Sequence, residues 1–144
     1  MTVSQNFSNH RRWYAPVHFI VTPILFINLI WRIFQMSNEL TIDTTVNFVL
    51  AIGLMVLSLA ARLQSLRAQD RIIRLEEKLR YKEILTPELN ARTADLRTGQ
   101  IIALRFASDA ELPELLRRTL IGDFEKNSDI KKAIKNWRSD HLRV

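Results

Sequence analysis

Two long apolar runs dominate the first half of the chain, and charged residues set at regular intervals dominate the second. The first run extends from Tyr14 to Trp31 and is followed by Arg32, Ile33 and Phe34. The second, Thr44–Ala61, carries no charge and stays apolar on one face as far as Leu66. At about 1.5 Å of rise per residue, each run is long enough as a helix to cross a hydrocarbon core. Trp13 and Tyr14 stand at one end of the first run and Trp31 at the other, as amphipathic rings do at the headgroup level. Only the short connector Gln35–Asp43 separates the runs, so the pattern predicts an antiparallel helical hairpin. Pro16 falls in the first turn of its helix, where proline is tolerated, whereas Pro23 is interior and predicts a kink.

A second periodicity starts inside the second run and leaves it. Asn47, Ala51, Leu54, Ser58, Ala61, Ser65, Ala68, Ile72, Leu75 and Leu79 are spaced alternately by four and three, a 3.5-residue repeat. Inside the run most of these residues are small, which lets helices approach closely in lipid. Beyond it they become Ile and Leu, whose burial from water stabilises. No Gly or Pro interrupts residues 54–85, so one helix is expected over about 44–85. Something has to cover Ile72, Leu75 and Leu79. The candidates are the same helix of a second subunit and the chain's own C-terminal helices.

The remainder reads as short helices. Thr86-Pro87 predicts a cap and first turn for a helix to about Ala94, and Thr98 predicts a cap for the next. Ser108–Glu111 matches a capping box for a helix to about Ile121, with Gly122 as its stop; Pro113 is awkward in its first turn and either shifts the start to Leu112 or bends that turn. Ser128 predicts a cap for a last helix, Asp129–Arg138. On that helix Lys131, Lys132, Lys135 and Arg138 oppose a stripe containing Trp137, which makes it a candidate to lie on an anionic membrane surface. The plain structural alternative is that Trp137 fills the tail's own core. Helices this short need packing partners in water. The fold class is therefore all-α: a membrane hairpin (14–66) after an N-terminal arm (1–13), an extension of the second helix (67–85), and a bundle of short helices (86–144).

Charge fixes the expected orientation. The net charge is +6. Arg11 and Arg12 precede the first run, and Arg62, Arg67, Arg71 and Arg74 follow or end the second. The connector holds Glu39 and Asp43 but no Lys or Arg. The positive-inside bias puts both termini in the cytoplasm. The first run contains Pro16, Pro23 and Asn28 and ends in Trp-Arg rather than small residues, so it reads as a retained span and not a cleaved signal.

Candidate chemistry is sparse. His18, Asn28 and Arg32 share one face of the first helix and would line a proton or ion path, form a lipid-headgroup site, or simply pack against a neighbour. A lone His18 is weak support for haem ligation. There are no cysteines and only three glycines, far apart, which excludes thiolate sites, disulfides and a glycine-rich phosphate loop. No H-E-x-x-H or nucleophile elbow occurs, and Asp140-His141 has no identified third group. No enzyme activity, cofactor or metal is expected. Acidic residues dilute the basic tail, which argues against nucleic acid as a partner.

Residues 71–80 (RIIRLEEKLR), 103–113 (ALRFASDAELP) and 134–144 (IKNWRSDHLRV), with the start Asn9–Arg12, resemble a bacterial family of uncharacterised two-span inner-membrane proteins. The resemblance covers nearly the whole chain. It implies two spans and a helical tail, and it supplies no activity or catalytic residue. Pattern and resemblance together lead to the expectation of an inner-membrane scaffold or accessory subunit, acting as a homo-oligomer or within a larger complex. The alternative expectation is an oligomeric ion channel, or a small transport component, built from several hairpins.

Overall fold

The computed structural model describes residues 5–9 and 14–140. Arg11, Arg12, Trp13 and His141, which entered the sequence reading, lie outside the described residues. The chain is all-helical, with an apolar N-terminal helix, a long helix and then shorter helices. The first two are α1 (Thr22–Asn38) and α2 (Ile42–Ile84). The shorter ones are α3 (Pro87–Arg92), α4 (Thr98–Leu104), α5 (Leu112–Leu120) and α6 (Asn127–Ala133). The chain divides into two units, one of residues 12–67 and one built from the remainder of α2 and the tail.

In the first unit, α1 is preceded by a π-helical stretch, Pro16–Val21, in which the Thr22 N–H donates to the Val17 carbonyl. This wide turn comes immediately before Pro23, whose missing N–H and bulky ring disfavour a regular α-helical turn. The connector is shorter than the sequence suggests, because the helices run further into it. Asn38 Nδ2 donates to the Phe34 carbonyl at 2.8 Å and closes α1. Thr41 and Thr44 then cap α2 reciprocally: Thr44 N–H donates to Thr41 Oγ1 at 3.2 Å, and Thr41 N–H to Thr44 Oγ1 at 3.0 Å. Three residues, 39–41, suffice for the turn.

The continuous helical segment Pro16–Asn38 and α2 are each long and apolar enough to span a membrane. Their apolar windows are 0% and 6% buried. Phe19, Ile24, Ile27, Ile30, Val49, Leu50, Val56 and Leu57 are all exposed. Shielding runs mainly along one stripe on each helix, which includes Leu25, Asn28, Arg32 and Met36 on α1, and Asn47, Ala51, Met55 and Ser58 on α2.

The second unit has a conventional core. Tyr81 from the end of α2 and Leu85 just after it meet Leu89 of α3, Leu104 of α4, Leu116 of α5 and Ile130 of α6. Thr86 caps α3 as expected, its side chain accepting from the Leu89 N–H. The start of α4 is fixed by Gln100, whose side-chain oxygen accepts from the Arg97 N–H at 2.8 Å, rather than by Thr98. Gly99 allows α4 to approach Asn127 at the start of α6, where a Cβ would collide with that side chain. Gly122 ends α5 at φ +86°, a backbone state that glycine adopts without steric cost.

Two local expectations are corrected. The capping box at Ser108–Glu111 does not form; α5 starts at Leu112, the later of the starts expected from Pro113, which sits in its first turn. The Glu111 carboxylate instead accepts from the Lys135 and Asn136 N–H groups, at 3.3 and 3.1 Å. The last helix does not reach Arg138. It stops at Ala133, and Ile134 is extended. The following residues run antiparallel to 106–108: Arg138 N–H donates to the Phe106 carbonyl at 2.7 Å, and Ser108 N–H to the Asn136 carbonyl at 3.1 Å. Backbone pairing with a distant segment therefore takes over from local helix propensity.

Candidate functional site

The second unit is organised around charged side chains that the fold buries. Ile73, Glu77, Arg80 and Tyr81 follow one another on one face of α2, and all four are buried. Glu77 is 3% exposed and Tyr81 1%. A buried charge needs both an opposite charge and hydrogen bonds, and Arg80 has both. Its Nη2 donates to the Ala107 carbonyl at 2.7 Å and meets Asp109 Oδ1 at 2.6 Å; its Nε donates to the same oxygen at 2.9 Å. Its Nη1 pairs with Glu77 Oε2 at 3.2 Å. Glu77 also accepts from Arg138 Nη1 at 3.4 Å. Arg105, itself buried, pairs with Asp140 Oδ2 at 3.1 Å and lies 4.4 Å from the Phe106 ring centre. Asp140 N–H donates to Gln5 Oε1 at 2.8 Å, which ties the N-terminal segment to the same region.

These contacts attach the tail to α2. Arg80 clamps the 105–109 loop, and Glu77 holds the extended residues 136–138 through Arg138. Beside them lies a cleft of about 330 Å³ lined by Ile73, Glu76, Glu77, Arg105, Arg138, Ser139 and Asp140. Burial raises the Glu77 pKa above the usual carboxylate value, and the arginines Arg80, Arg138 and Arg105 pull it back only in part. Burial, and then the Glu77 charge, raise the Tyr81 phenol further from ionisation. The Tyr81 hydroxyl has no hydrogen-bond partner among the described residues. Among the described residues the cleft lining holds carboxylates, guanidiniums and the Ser139 hydroxyl. Among the described residues no group of three His, Cys, Asp or Glu side chains could hold a metal ion.

The sequence-selected residues fall in three places. His18, on the π-helical stretch, and Asn28 and Arg32, on α1, are half-buried, and Arg32 Nη1 donates to Gln35 Oε1 at 2.8 Å. The 3.5-residue seam divides. Asn47, Ala51 and Ser58 lie on the shielded stripe of the first unit, whereas Leu54, Ala61, Ser65, Ala68, Ile72, Leu75 and Leu79 are exposed. A strict heptad drifts about 20° per repeat round a helix of 3.6 residues per turn. Ten such positions therefore cannot all face one neighbour along a straight helix. The tail docks on Ile73, Glu77, Arg80 and Tyr81 and leaves Ile72, Leu75 and Leu79 open.

The third set, proposed for one surface helix, is split. Lys131 and Lys132 are on α6, whereas Lys135, Trp137 and Arg138 follow it. Trp137 packs on Phe106, with ring centres 5.0 Å apart. Arg138 is bound to Glu77. A single amphipathic helix carrying all five residues is not formed, because the strand-like pairing at 106–108 removes the last three.

The model of a family of unknown function, DUF6526, matches residues 1–144. The chain belongs to that family. No curated protein and no solved structure matches it.

Proposed function

We propose that this DUF6526 protein is a non-enzymatic integral membrane scaffold or accessory subunit of the bacterial inner membrane. The hairpin anchors it, and a folded tail attached to α2 is presented to cytoplasmic partners. One contrast supports the reading above all others. The tail buries a complete apolar core, yet the large apolar side chains of α1 and the first half of α2 are exposed around most of each helix. Each exposed Leu, Ile or Phe forgoes about 1.5–3 kcal/mol of burial in water. Lipid removes that penalty. The backbone of these two segments is helical from 16 to 38 and from 42 onward, so its polar groups are satisfied internally, as a bilayer requires.

The orientation rests on charge. Glu39 and Asp43 flank the turn, and Arg62, Arg67, Arg71 and Arg74 mark the other end of α2, which favours a cytoplasmic tail. The half-buried setting of His18, Asn28 and Arg32 favours packing inside the hairpin over lining a pore. The chain has no cysteine, so single cysteines report topology cleanly. Asn38→Cys should react with a membrane-impermeant maleimide in intact spheroplasts, and Ser139→Cys only after the membrane is opened. The reverse pattern overturns the orientation, and equal labelling of both before opening overturns the anchoring.

A further inference from the structure

We propose that α2, from Ala61 to Leu79, forms a parallel two-stranded coiled coil with the same segment of a second copy of this chain. The proposal deepens the scaffold reading and rests on it for the membrane setting. Its evidence lies in the segment beyond the apolar run.

Ile72, Leu75 and Leu79 are 57%, 62% and 55% exposed, although they lie among charged residues where lipid does not account for them. The chain's own tail is not their cover. It packs on Glu77, which lies about 200° round the helix from both Leu75 and Leu79 at 100° per residue. The open stripe keeps a strict heptad: Ala61, Ala68 and Leu75 at d, Ser65, Ile72 and Leu79 at a. Ser65 Oγ already donates to the Ala61 carbonyl at 3.0 Å, so it brings no unsatisfied hydroxyl to a dry seam. Ile at a with Leu at d is the combination that favours two parallel strands. Lys82 takes the next d position and closes the seam.

The flanking charges select both the partner and its direction. The g positions beside this stripe are Arg71 and Lys78, and the e positions are Glu76 and Glu83. All four side chains are exposed, and none is held in an ion pair among the described residues. In a parallel pair, g of one helix faces e of the next heptad in the other. Arg71 then meets Glu76 of the second copy, and Lys78 meets its Glu83, with the reciprocal pairs formed by symmetry. An antiparallel pair sets g against g and e against e, which juxtaposes like charges throughout. The face is thus complementary to itself in one orientation only. Two copies anchored in one membrane with the same topology present it in that orientation.

The test uses the full chain in detergent micelles. With copper–phenanthroline and dissolved oxygen as the oxidant, Ala68→Cys, Leu75→Cys and Leu79→Cys, examined singly, should each form disulfide dimers of twice the 16.8 kDa chain mass, and Arg74→Cys at least tenfold less. In the Leu75→Cys background, the pair R71E/K78E and the pair E76K/E83K should each lose the dimer alone. Mixing the two should restore it as a heterodimer, since only the mixture regains opposite charges at every g–e contact. Three results each overturn the proposal: seam cysteines no more reactive with each other than Arg74→Cys, charge variants that dimerise unaided, or a mixture that stays monomeric. Failure of the seam cross-links in a chain that still requires detergent removes the coiled coil and leaves the membrane reading standing. The membrane reading itself fails only if the chain is soluble without detergent, whatever the thiols do.

Discussion

Replacing Arg80 by Met should come close to unfolding the tail, and the cost can be built from its contacts. The substitution keeps most of the aliphatic stem, so packing changes little. It removes the 3.2 Å pair with Glu77, the 2.7 Å bond to the Ala107 carbonyl and the contacts to Asp109. Asp109 is 69% exposed and returns to water, so its share is about 0–1 kcal/mol. The Ala107 carbonyl loses a charged donor, worth about 1.5–3 kcal/mol. Glu77 is left buried with the more distant Arg138 and Arg105, and breaking a buried pair from one side costs about 3–5 kcal/mol in all. A unit of this size holds roughly 0.05–0.15 kcal/mol per residue, so the loss is comparable with its whole stability. Urea unfolding of the full chain in detergent, followed by Trp137 fluorescence with Trp13 and Trp31 changed to Phe, measures it. Replacing the whole pair, Glu77→Met with Arg80→Met, should recover much of the loss, because an apolar substitute for a buried pair is often neutral. If Arg80→Met costs under about 1 kcal/mol, or the double variant is no better than the single, the clamp is not a buried, coupled pair.

Three further outcomes follow from the same unit. The folded pKa of Glu77 is raised, so its titration contributes stability that is fully present below the unfolded value of 4.5 and is lost as pH rises through the folded value. Glu77→Gln should flatten that slope in urea midpoints measured upward from pH 4, and an unchanged slope refutes the assignment. Gly122→Ala forces a side chain into φ +86° and should cost about 1 kcal/mol in the same urea assay, with no effect counting against the left-handed stop. Leu116→Ala removes a side chain with no exposed surface from the tail core and should cost about 2–5 kcal/mol; a loss below 1 kcal/mol places Leu116 outside a packed core.

The continuous helix α2, the two apolar segments and the short tail helices were legible because each follows from local periodicity, proline placement or glycine stops. The docking face was not. Glu77 and Arg80 stand among Glu76, Lys78 and Lys82, and charge alone assigns them all to solvent. The signal that separates them is a second stripe, Ile73, Tyr81, Ile84 and Leu85, on the face that carries Glu77 and Arg80. It was overshadowed by the more regular heptad of Ile72, Leu75 and Leu79. The true end of α6 was hidden for a different reason. Ile134–Arg138 continues an amphipathic pattern well enough to predict helix, but its backbone pairs with residues 106–108, a contact that no local window contains. Likewise, the acid expected to cap α5, Glu111, is drawn to the backbone at 135–136.

The central claim is that α1 and the first half of α2 are solvated by lipid. Partition of the full chain expressed in bacterial cells tests it most directly. The chain should sediment with inner membranes, resist alkaline carbonate, and enter solution only with detergent. Recovery as a monodisperse species in detergent-free buffer would contradict the claim.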